Sequence, residues 1–128
     1  MKFLLLPAFV LIAVSCVKNP LRDGAPPEIA VVEPVSGDTL TLSKGDEVHV
    51  ELTVTDDAGL HALRVTLRDG SGKTLLDDQP PVNDLKVYPY HTHLIPALSA
   101  GTACTLSVLA EDHAGHTASE QRVFVLKP

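Results

Sequence analysis

Between positions 48 and 55 the chain alternates strictly: Val48, Val50, Leu52 and Val54 are apolar, while His49, Glu51, Thr53 and Thr55 are polar. A period of two puts every second side chain on one face of an extended strand, so this segment predicts a half-buried β-strand with Val48, Val50, Leu52 and Val54 inward. The same alternation returns with Leu63, Val65 and Leu67 against Arg64, Thr66 and Arg68, and again from Cys104 to Ala110. Turn chemistry separates the runs: Ser36-Gly37-Asp38, Lys44-Gly45-Asp46, Asp69-Gly70-Ser71-Gly72 and Gln79-Pro80-Pro81 supply the small, φ-permissive or φ-fixed residues that reversals need. Strands are therefore expected at 28–33, 39–42, 48–55, 63–68, 73–76, 86–95, 104–110 and 122–126, with no helix. About eight short strands at this spacing predict an all-β domain of two packed antiparallel sheets. Val50, Leu52, Val65, Leu106 and Val108 are its expected shared core.

The first residues break this pattern. Lys2 is followed by an apolar run from Phe3 to Val14 and then by Ser15 and Cys16. That run is too short to span a bilayer, which takes roughly 20 apolar residues, and it matches the apolar centre of a secretory signal. Ala13-Val14-Ser15-Cys16 resembles the bacterial lipobox, in which cleavage occurs before a lipidated Cys. The resemblance implies a signal at 1–15 and a membrane anchor at Cys16, with Ala13 standing where Leu is commonest. Val17, just after the anchor, resembles the sorting pattern of outer-membrane lipoproteins. The segment 16–27 holds Asn19, Pro20, Asp23, Gly24, Pro26 and Pro27, a composition that makes an extended, solvated tether. The remainder, 28–128, is the size of one domain with one core.

Composition narrows the function. The 128-residue chain carries 10 Lys and Arg against 16 Asp and Glu, a formal net charge of −6, so it lacks the clustered cations that nucleic-acid binding requires. Aromatic residues make up 4% and Trp is absent, which leaves the core to Val, Leu, Ile and Ala. Cys104 lies in an alternating run and is expected to be a small buried hydrophobe rather than half of a disulfide.

The stretch 98–110 is similar to the E–F corner and F strand of fibronectin type III and related domains, which usually carry Tyr where Cys104 stands. Asp56-Asp57-Ala58-Gly59 is echoed by Asp112-His113-Ala114-Gly115. With Pro27-Glu28-Ile29 and the Pro34-to-Gly37 turn, these segments resemble a group of immunoglobulin-like bacterial lipoproteins. The resemblance implies an immunoglobulin-like β-sandwich of seven or eight strands, and its motifs are turn chemistry that specify a fold far more than a function.

No nucleophile elbow, phosphate loop or paired catalytic acid is present, so a non-enzymatic module is expected. The six histidines are the feature that folding does not require. His91 and His93, two apart on a strand, share one face, and a strand holding them is expected to pair antiparallel with 48–55, bringing His49 near. Three imidazoles suit zinc or copper. Tyr88 and Tyr90 point this pair outward, whereas spacing back from Leu98 turns His93 and Ile95 inward, and a bulge at Pro89 reconciles the two. An alternative ion site is Asp56, Asp57 and Asp112, with His61, His113 and His116 nearby, suited to calcium; two capped turns account for the same carboxylates. The sequence thus supports two readings. One is an envelope lipoprotein whose module binds another envelope protein or a surface ligand; the other is a metal-handling lipoprotein. Which side of the outer membrane the domain faces is left open.

Overall fold

The computed structural model describes residues 24–43 and 45–128. The expected signal at 1–15, Cys16 and the tether up to residue 23 lie outside the described residues.

Eight strands form: β1 (Glu28–Glu33), β2 (Thr39–Thr41), β3 (Val48–Thr55), β4 (Leu60–Arg68), β5 (Thr74–Asp78), β6 (Val87–Leu94), β7 (Thr102–Asp112) and β8 (Thr117–Lys127). They make an immunoglobulin-like β-sandwich, with β1-β3-β6 in one sheet and β2-β8-β7-β4-β5 in the other. All pairings are antiparallel except the short parallel pairing of β2 with β8. The chain changes sheets between β1 and β2, through a cis Glu33–Pro34 bond.

The inward alternation of β3 holds: Val48, Val50, Leu52 and Val54 are buried and face Val65, Leu67, Leu106 and Val108 of the other sheet in a single core. Each such side chain stabilises the fold by about 1.5–3 kcal/mol relative to exposure. Phe124 of β8 is the largest of the fully buried side chains of that core and is 1% exposed. One lateral edge is tied across the sheets, where the Tyr90 hydroxyl of β6 donates to Asp78 Oδ2 of β5 at 2.9 Å. Burial, and then Asp78, push the Tyr90 phenol well above the ordinary tyrosine range. Cys104 is fully buried, and burial pushes its thiol up, which keeps it protonated and unreactive.

Two strands begin well ahead of the sequence expectation. β4 starts at Leu60, because a bulge between Leu60 and Ala62 in its pairing with β7 breaks the alternation there. β8 starts at Thr117, because its half-buried positions include Glu120 and Arg122, which mask the apolar period.

The echoed turns are both capped by their Asp. Asp56 Oδ2 accepts the amides of Ala58 at 3.0 Å and Gly59 at 2.7 Å, and Asp112 Oδ1 accepts the His116 amide at 2.8 Å. Gly59 has φ of +131°, and a Cβ there would meet the Asp84 carbonyl oxygen at 2.9 Å. Gly59→Ala is therefore expected to cost about 1–3 kcal/mol from backbone strain alone, read as a lower denaturation midpoint. An unchanged midpoint would show that the turn can be rebuilt freely.

Candidate metal centre

β3 and β6 pair without interruption from Val48 opposite Leu94 to Thr55 opposite Val87. Since β3 buries its even-numbered residues, this register fixes which β6 side chains face solvent. Tyr90 is buried, and His91 and His93 are exposed. His93 and Ile95 therefore do not turn inward, Ile95 being 61% exposed, and no bulge occurs at Pro89. Pro89 sits on the edge strand β6, where the missing amide costs no ladder bond on the open side.

His49 lies directly opposite His93, and Glu51 directly opposite His91. The three histidines thus gather on the outer face of the β3–β6 pair. Ring centroids are 5.5 Å apart for His49 and His91, 6.0 Å for His49 and His93, and 6.2 Å for His91 and His93. His49 Nδ1 and His91 Nε2 share a hydrogen bond at 3.2 Å. Two ligands of a tetrahedral zinc, each about 2.05 Å from the ion, stand about 3.3 Å apart, close to the separation of these two nitrogens.

Glu47, which sequence reasoning missed, flanks the cluster. Its carboxylate lies 3.9 Å from His49 Nε2 and 3.7 Å from His93 Nε2. A carboxylate behind a ligating imidazole fixes its tautomer and raises its basicity. Glu47 leads into β3 just ahead of the alternating run, and its signal was only a carboxylate two positions from His49. A cleft of about 520 Å³ opens beside His49, lined also by Glu33, Asp38, Asp46 and Glu47, and this concentration of negative charge favours cations. Among the described residues no three His, Cys, Asp or Glu side chains form a ready-made metal ligand set. Convergence on one ion takes rotation of exposed side chains, the imidazoles of His49 and His93 being roughly half exposed.

The alternative residues are placed differently. Asp56 and Asp112 are buried and committed to their turns, while Asp57 is exposed. Asp112 Oδ2 also pairs with His116 Nδ1 at 2.8 Å. These carboxylates serve as caps, and Asp56, Asp57 and Asp112 do not form a ligand set.

No protein-family model matches the chain, and no curated protein matches it in sequence. Among solved structures the fold is similar to part of an engineered protein, with 14% identity over 81% of this chain and a TM-score of 0.57. The match spans 21% of that protein's length. Looser likenesses are to CopC from Methylosinus trichosporium OB3b, at 14% identity, 79% of this chain and 95% of that one, with a TM-score of 0.47. Another is the CARDB domain of a Pyrococcus furiosus protein in complex with di-metal ions, at 11% identity, 83% and 97% coverage, and a TM-score of 0.42. At these identities the first likeness is one of fold alone; the two-sheet sandwich is read from the strand pairing of this chain itself.

Proposed function

We propose that this chain is a lipid-anchored protein of the bacterial cell envelope, held at the outer membrane through Cys16, and that its β-sandwich is a binding module rather than an enzyme. The species it binds on the β3–β6 face is a zinc or copper ion. The observation that carries this reading is the gathering of His49, His91 and His93 on one exposed face, with Glu47 behind two of them. Imidazole is the ligand that suits these ions, and two histidines fixed on one strand need little further ordering. Glu51, opposite His91, is placed to serve as a fourth ligand, or that position stays open for a group supplied by another envelope protein.

Calorimetric titration of tag-free protein with zinc tests the site. Replacing His91 and His93 together by Ala is expected to remove one zinc equivalent while leaving the melting curve of the metal-free protein almost unchanged, since both side chains are exposed. Affinity is expected to fall on acidification, because an imidazole ligates only when neutral. The same zinc stoichiometry and heat in the double variant would sink the metal reading.

A further inference from the structure

At the opposite end of the sandwich a second constellation gathers around the backbone of Leu60. Leu60 lies opposite Asp112 in the β4–β7 pairing. Its amide donates to the Leu85 carbonyl at 2.9 Å, and its carbonyl accepts the Asp84 amide at 3.2 Å. Three chain segments therefore meet at one residue. Each contributes a potential ligand beside it: His61 from the start of β4, Asp84 from the β5–β6 connection and His113 from the β7–β8 turn.

Their side chains are already in contact. The His61 and His113 rings are 4.9 Å apart between centroids, and His113 Nε2 pairs with Asp84 Oδ1. None of this placement is required by the core, since all three residues are exposed. The bulge between Leu60 and Ala62 leaves His61 and Ala62 both exposed, and re-aiming a side chain is what such bulges do beside functional sites. Asn83 and Asp84 adopt consecutive left-handed conformations, with φ of 39° and 64°, and Gly59 admits the Asp84 carbonyl where a Cβ would collide. Asp84 is thus held by backbone on both sides rather than waving on a free loop.

We infer that His61, Asp84 and His113 form a second metal site once their exposed side chains rotate to converge, as they are not a ready-made ligand set, taking a divalent transition-metal ion of the zinc class through two imidazoles and one carboxylate, with positions left open to solvent. Two nitrogen ligands and one carboxylate oxygen are a donor set that zinc accepts. The site is independent of the β3–β6 cluster. His49 and the Thr55 end of β3 are separated by roughly 20 Å of strand, so neither site can share an ion with the other.

The test uses zinc as the probe, on the full tag-free protein and two sets of variants. His61→Ala with His113→Ala is expected to remove one zinc equivalent, and Asp84→Asn to weaken that equivalent about tenfold or more. Asn tolerates the left-handed backbone as Asp does, so Asp84→Asn separates lost ligation from a damaged loop; a melting curve on each metal-free variant confirms the fold. With both sites real, wild type takes two equivalents and each double-histidine variant takes one. Loss of one equivalent in His61→Ala with His113→Ala supports this site even if the β3–β6 variant binds as wild type does. Unchanged stoichiometry and affinity in both loop variants would overturn it, whatever the β3–β6 face does.

Discussion

Replacing Phe124 by Ala is expected to cost about 3–5 kcal/mol of folding free energy, the range for a large aromatic removed from a closed core. Phe124 is 1% exposed and lies opposite Cys104 on β7, itself fully buried. The chain has no Trp, and Phe124 is the only Phe after residue 9, so no second Phe can take its place, and the surrounding valines and leucines are already packed in the core. The neighbouring Val123, on the other face and 49% exposed, provides the control: Val123→Ala should change stability by less than about 0.5 kcal/mol. Chemical denaturation of both variants measures the contrast. Equal losses would mean that β8 packs with the opposite face inward.

The second large effect is expected at Cys16, outside the described residues. If Cys16 carries acyl chains, Cys16→Ser removes essentially all membrane affinity, since each buried methylene contributes about 0.8 kcal/mol and no other proposed contact reaches the bilayer. Cells fed a fatty-acid probe should label the wild type and not the variant, and the variant should leave the membrane fraction. Equal labelling and equal sedimentation of the two would refute the lipoprotein assignment.

The sequence reading succeeded where one face of a strand is buried along its whole length. In β3 every second residue enters the core, so the apolar period is unbroken and fixes both boundaries. It failed where something other than burial sets the backbone. The bulge at His61 hid the start of β4, and Glu120 and Arg122 hid the first half of β8. The face presented by His91 and His93 was undecidable on β6 alone, because Tyr90 and Leu98 gave opposite phases; pairing with β3 decides it. Asp84 carried no signal at all. It comes beside His113 only because two backbone hydrogen bonds to Leu60 bring its loop there, and such long-range pairings leave no mark in local composition. Asp56 and Asp112 were legible as turn residues, and the structure gives them that role.

The direction of β1 has a further consequence. Its first residue, Glu28, lies opposite Thr55, and its last, Glu33, lies opposite Glu51. The chain therefore enters the sandwich at the end where β3 finishes, beside His61, Asp84 and His113, and it runs toward the end that carries His49. For a protein anchored through Cys16 as proposed, this polarity sets which site lies nearer the attachment. The loop cluster lies at the end where the tether joins, and the β3–β6 cluster at the end roughly 20 Å away along β3. A tether of about twelve residues reaches at most about 40 Å when fully drawn out. The β3–β6 site could thus sweep a hemisphere of that radius plus the height of the domain, and the loop cluster one of about the tether's own radius.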